Sequence, residues 1–252
     1  MTPGTRLPHA TYVDHLRADA GRLLEVATEL DAPVPSCPGW RVRDLVGHTR
    51  SVFQHKTLML RAGGRVPWPP EPTDRPLDED YRSWADAIVA ELAARDPADH
   101  AWTWWATEQT AGFWARRMAH EALVHRVDAE LSADLPSTVD PALGRDGTDE
   151  ALTRFLAWPG HAWPAVAALP ASVLVALEDG PGWLVALDPD GVRVEPVEDD
   201  GAAAAGADAA LRGDGPALDL WLWGRGDLDP LHVEGSAAVV ALLSDRMVTA
   251  TQ

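Results

Sequence analysis

The 252-residue chain contains no asparagine, one lysine (Lys56), one isoleucine (Ile88) and one cysteine (Cys37). With a single thiol it can close no disulfide within itself, and chemistry that needs a second sulfur must draw it from another molecule. No apolar run approaches the roughly 20 residues that span a bilayer, and the first residues lack the basic and apolar segments of a signal peptide. The expectation is a cytoplasmic protein with no membrane partner. Basic residues are also scarce: 21 Lys and Arg stand against 39 Asp and Glu, a formal net charge of -18. A surface of that sign repels phosphate backbones, which argues against nucleic acid as a partner. The abundance of Ala, Gly, Pro and Arg is the bias of a GC-rich genome. A hydrophobic content of 46% and a charged content of 24% are those of a globular protein, long enough for one large domain or two modest ones.

Residues 11–30 carry Leu16, Ala20, Leu23, Leu24, Ala27 and Leu30 at the three-and-four spacing of an amphipathic helix. Three prolines and a glycine within 31–40 break it, and Trp40 is a candidate anchor for that loop. A second helix over 41–62 places Leu45, Val52 and Met59 on one stripe with Val42 beside them, and His48 falls inside the stripe. An inward histidine is either a hydrogen-bonded core residue or a ligand. The adjacent Gly47 costs the helix up to ~1 kcal/mol, a cost that often marks close approach of a backbone or a ligand. His55, two turns on, is a further candidate for the same face. Residues 63–76 are a proline-rich connection, and Tyr81, Trp84, Ala85, Ile88, Val89 and Leu92 predict a third helix ending near Asp96-Pro97. The Trp102, Trp104 and Trp105 cluster is a hydrophobic plug or an aromatic wall.

A fourth helix over 108–132 sets Phe113, Trp114, Met118, Val124 and Leu131 on an apolar arc, and Glu121, His125 and Asp128 lie within that arc. Glu121 and His125, four apart, share one face and can hold one metal ion. A carboxylate there is costly unless it is paired or coordinates a cation. His120 sits toward the edge, and Arg116, Arg126 and Glu130 on the far side predict a solvated face. Four such helices suggest a bundle whose core gathers ligands from facing helices.

After Leu135 the composition changes. A short helix is expected at 149–156, then a Pro-, Ala- and Trp-rich linker at 158–170, and strands at 172–177, 183–187 and 192–197 forming a β-meander. The Ala202–Ala205 run is expected in a loop or helix end, 218–223 as a further strand and 236–246 as a closing helix. No internal repeat is evident. The fold class is α plus α+β, with domains at 1–157 and 158–252.

Five stretches carry a resemblance: Cys37-Pro38-Gly39-Trp40 followed by Val42 to Leu45 and His48; Arg117 to Glu121; Val124 to Glu130; Val139-Asp140-Pro141-Ala142; and Leu231 to Gly235. Together they resemble the mycothiol-dependent maleylpyruvate isomerase family. The resemblance implies a DinB-like four-helix bundle followed by a small α+β (SCP2-like) C-terminal domain. It implies a divalent metal, usually zinc, with nickel, cobalt or manganese compatible with the same donors, held by His48, Glu121 and His125. Three protein ligands would leave the open position of a catalytic site. It further implies that Asp128 orients a ligand or meets substrate, and that Arg225 pairs with a substrate carboxylate. The missing second sulfur would come from mycothiol, activated as a thiolate by the metal. The implied reactions are cis–trans isomerisation of an unsaturated acid such as maleylpyruvate, or transfer of mycothiol to an electrophilic small molecule as a thioether. A non-catalytic metal-binding or regulatory module, or a triad serving only as a core hydrogen-bond network, stand as the other readings. Monomer and homodimer are both compatible.

Overall fold

The computed structural model describes residues 5–163, 170–197, 203 and 206–251. Two compact units form, one at Leu7–Thr138 and the other beginning at Val139. The boundary thus precedes the position 157 read from the sequence, because the helix after Thr138 packs with the second unit. Among the described residues no helix is long and apolar enough to cross a membrane.

The first unit contains four helices: α1 (His9–Val26), α2 (Val42–Ala62), α3 (Leu77–Ala93) and α4 (Ala111–Ser132). On α1 the apolar spacing buries Leu16, Ala20 and Leu23, but the helix stops at Val26, and Leu30 is exposed. Helix α2 starts where the Asp44 carboxylate accepts from the Arg41 backbone N–H at 2.9 Å and ends on Gly63, whose φ of 65° only glycine adopts without cost. Its stripe of Val42, Leu45, Val52 and Met59 is buried as expected. Gly47 has no neighbour within 4 Å of a would-be Cβ, so no backbone approaches it there. On α3 the buried Tyr81 donates its hydroxyl to the Ala20 carbonyl at 3.0 Å, tying α3 to α1. Residues 63–76 form the long connection between α2 and α3.

Helix α4 begins at Thr110, whose hydroxyl accepts from the Phe113 N–H at 3.2 Å. It is buried on every side except at its last turn. The solvated face expected from Arg116, Arg126 and Glu130 is absent, since all three are buried, whereas Leu131 of the expected arc is 36% exposed. The physical reason is pairing across the α1–α4 seam. Arg126 reaches Asp19 of α1 at 2.9 Å and Glu130 at 2.6 Å, and Arg22 of α1 reaches Glu130 at 3.1 Å. The tryptophan cluster acts as a plug: Trp104 packs edge-on against Phe113 and Trp114 at 4.8 and 5.3 Å, and Trp114 Nε1 donates to the Trp102 carbonyl at 2.8 Å.

In the second unit, α5 (Pro141–Glu150) runs on into a π-helical segment, Ala151–Leu156, so the expected short helix is the end of a longer one. Asp140 caps it by accepting from the Ala142 and Leu143 N–H groups, with Pro141 in the first turn. Strands β1 (Ala171–Leu177), β2 (Gly182–Asp188) and β3 (Gly191–Val197) make the expected meander. Two further strands, β4 (Ala209–Gly213) and β5 (His232–Gly235), complete a mixed sheet of order β3-β2-β1-β4-β5, parallel only between β1 and β4. The parallel pair requires a crossover, which includes residues 198–202 outside the described set.

Residues 218–223 are not a strand. Residues 218–222 belong to α6 (Gly215–Leu222), which Trp223 closes at its C-terminal end and Asp214 caps at its start, its side chain accepting from the Ala217 N–H at 2.8 Å. Helices α5 and α6 approach so closely that a Cβ at Gly147 would fall 2.4 Å from an Asp219 carboxylate oxygen. The closing helix α7 spans Ala237–Thr251. Residues 164–169 of the expected linker and Ala202, Ala204 and Ala205 of the alanine run lie outside the described residues.

Candidate metal centre

Helices α2 and α4 set three donor groups facing one point within the first unit. The Glu121 Oε1 atom lies 3.5 Å from His48 Nε2 and 3.3 Å from His125 Nε2, and all three donor atoms fall within 4.8 Å of one another. The i,i+4 spacing on α4 stacks Glu121 and His125, and the inward stripe of α2 supplies His48 from the facing helix. Separations of 3.3 and 3.5 Å are long for charge-assisted hydrogen bonds. They match instead the edge of a tetrahedron with metal–ligand bonds of about 2.0–2.1 Å, which is about 3.3 Å. Two imidazole nitrogens and a carboxylate oxygen so arranged fit a borderline divalent ion such as zinc.

The surroundings favour that use of the donors. His125 Nδ1 lies 2.9 Å from Asp128 Oδ2, so the Nδ1 proton is held there and Nε2 is the nitrogen turned toward the other donors. Asp128 is in turn held by the 31–40 loop: Ser36 Oγ donates to Oδ1 at 2.5 Å, and Cys37 Sγ points to Oδ2 at 3.6 Å. Trp40, at the end of that loop, covers both histidine rings, with centroids 5.0 Å from His48 and 6.5 Å from His125. The His48 side chain remains 32% exposed, against 11% for His125 and 17% for Glu121, so the triad opens on the His48 side. Trp68 stands at that opening, 6.4 Å from the His48 ring.

Electrostatics agree with the geometry. Burial alone would raise the Glu121 carboxyl, but the neighbouring His125, His48 and Arg117 outweigh it and hold it well below the usual range. Burial disfavours the His125 imidazolium, yet the Glu121 and Asp128 carboxylates overcome this and lift its pKa to about 9. Glu121 is therefore an anion at neutral pH, with two imidazoles and the Arg117 guanidinium, at 3.4 Å, around it.

His48, Glu121, His125 and Asp128 thus come together. Arg225 lies in the second unit, in the turn after α6, where its NH1 donates to the Trp223 carbonyl at 2.5 Å. His55, the further candidate on α2, is buried with Nε2 on the Val66 carbonyl at 3.2 Å. Sequence reasoning passed over Ser36, Trp68, Arg117 and Lys56. For Lys56 a signal existed: the chain's only lysine stands on the helix that carries His48.

A helical bundle with two imidazoles and a carboxylate converging from facing helices defines a candidate metal-binding bundle. Residues 13–130 match the family model of the mycothiol maleylpyruvate isomerase N-terminal domain. The match covers the loop bearing Ser36 and Trp40 and all three donors. No curated protein matches the chain.

Proposed function

We propose that the protein is a metal- and mycothiol-dependent enzyme that isomerises a cis-unsaturated acid of the maleylpyruvate class. The carrying observation is the convergence of one donor atom each from His48, Glu121 and His125 within 4.8 Å of one another, inside a segment that matches the mycothiol maleylpyruvate isomerase N-terminal domain. Bound there, a divalent metal, zinc by preference, lowers the pKa of the mycothiol thiol, so that reversible thiolate addition to a double bond becomes available near neutral pH. His48, Glu121 and His125 would hold the ion, and of the three side chains His48 is the most exposed. Asp128 keeps the His125 ring in the tautomer that offers Nε2. Trp40 shields the rings from water, and Arg117 neutralises the second oxygen of Glu121. The role expected of Arg225 rests on the resemblance alone.

The test is metal analysis of tag-free protein together with a mycothiol-dependent cis-to-trans assay. Replacing His125→Ala should abolish both metal and thiol-dependent turnover. Full occupancy and activity in that variant would sink the proposal. Mycothiol recovered as a stable thioether would assign an S-transferase at the same site. A cobalt-substituted site whose spectrum ignores added thiol would favour a non-catalytic module.

A further inference from the structure

Lys56 is the sole lysine of the chain and lies on α2, two turns beyond His48. Its ammonium sits 4.8 Å from the centroid of the Trp114 ring and 3.1 Å from His55 Nδ1. His55 fixes the meaning of the second contact. Its Nε2 faces the Val66 carbonyl at 3.2 Å and must carry the proton to donate there, which leaves Nδ1 as an acceptor for Lys56. Burial, and then the charge of Lys56, keep His55 neutral by lowering its pKa. Both partners of the ammonium are therefore neutral: an imidazole lone pair and an indole face.

Among the described residues no carboxylate oxygen comes within 4.0 Å of this ammonium. The Glu121 carboxylate attracts it, but Arg117, which also repels Lys56, already pairs with that carboxylate. Burial accordingly lowers the Lys56 pKa to about 8. Desolvating a cation without an anion is costly, and a group so placed is a candidate for meeting a charged ligand. Position supports that use. His55 meets the Trp68 ring edge-on at 5.2 Å, and Trp68 meets His48 at 6.4 Å, so one aromatic wall runs from the candidate metal donors to the lysine.

We propose that Lys56 is the anion-recognition residue of this site, pairing with a carboxylate of the unsaturated acid whose reacting carbons lie toward His48. The inference rests on the proposed function and adds the residue that selects an acidic substrate. No bond forms or breaks at Lys56; it orients the substrate by charge, with His55 and Trp114 keeping the ammonium in place.

The single lysine makes a direct test possible. Reductive 13C-methylation of the full-length, zinc-loaded protein gives one lysine resonance besides that of the α-amine, and the modification retains the positive charge. Titration with maleate and with fumarate should move the lysine resonance saturably and leave the α-amine unmoved. Calorimetry should show dicarboxylate affinity falling by roughly 30-fold or more in Lys56→Gln, with a smaller loss in Lys56→Arg and unchanged zinc content in both. A lysine resonance that stays put up to the highest dicarboxylate concentration overturns the proposal, as does equal affinity in Lys56→Gln. Neither result touches the metal assignment, which fails separately if zinc does not bind the unmodified protein.

Discussion

Asp128 Oδ2 lies 2.9 Å from His125 Nδ1, with the carboxylate wholly buried and its other oxygen taken by Ser36. A buried carboxylate on the far nitrogen of an imidazole fixes the ring's tautomer and raises its basicity as a ligand. Asp128→Asn keeps the shape and removes the charge. Zinc affinity, measured by competition with a chromophoric chelator, should fall by roughly 10- to 100-fold while the far-ultraviolet circular dichroism is unchanged. An affinity within twofold of the parent would show that Asp128 only anchors the 31–40 loop.

Without metal, the protein should respond to pH with a definite sign. His125 is raised from 6.5 to about 9, so its charged form is favoured in the folded protein relative to the unfolded chain. That stabilisation is fully present below about pH 6.5 and is lost as the pH rises through 9. Lys56, lowered to about 8, acts in the opposite sense only above that value. Between about pH 6.5 and 8 the metal-free protein should therefore lose stability in urea titrations, and zinc should abolish this slope by replacing the proton on Nε2. Near pH 7.5 zinc uptake should release about one proton, read by calorimetry in buffers of different ionisation enthalpy. Uptake without proton release would mean that His125 is neutral in the metal-free protein.

How far the sequence carries depends on the range of the interactions concerned. Helical periodicity turns His48, Glu121 and His125 inward on two helices, and the family resemblance joins them into one ligand set. Helix α6 differs from the strand expected there because Leu218 to Trp223, apolar except for Asp219, suits a strand or a buried helix equally. The deciding signal was the Asp214 cap with Pro216 just behind it. Strands β4 and β5 were missed because Ala-Ala-Leu-Arg-Gly and His-Val-Glu-Gly have little intrinsic strand preference and owe their form to pairing with β1 and with each other. The all-round burial of α4 was hidden for a similar reason. Nothing local to Arg126 or Glu130 announces that their partners stand on α1, more than a hundred positions away for Arg22 and Glu130.

That seam makes its own prediction. The Arg126 guanidinium reaches Asp19 at 2.9 Å, Glu130 at 2.6 Å and the Thr138 carbonyl at 2.9 Å, with 7% of its side chain exposed. Asp19 already feels its burial, which raises its carboxyl even against the attraction of Arg126. Arg126→Met would leave two buried carboxylates without their shared cation, a loss of about 3–5 kcal/mol in urea denaturation. Arg22→Ala, at the exposed end of the same network, should cost less than about 1 kcal/mol. Adding Asp19→Asn to Arg126→Met should restore part of the loss, because one of the stranded charges is then gone. Zinc content should be unaffected in all three proteins, since the network lies on the α1 face of α4 and the donors face α2. A cost for Arg126→Met no larger than that for Arg22→Ala would show that water reaches the seam and hydrates the carboxylates there.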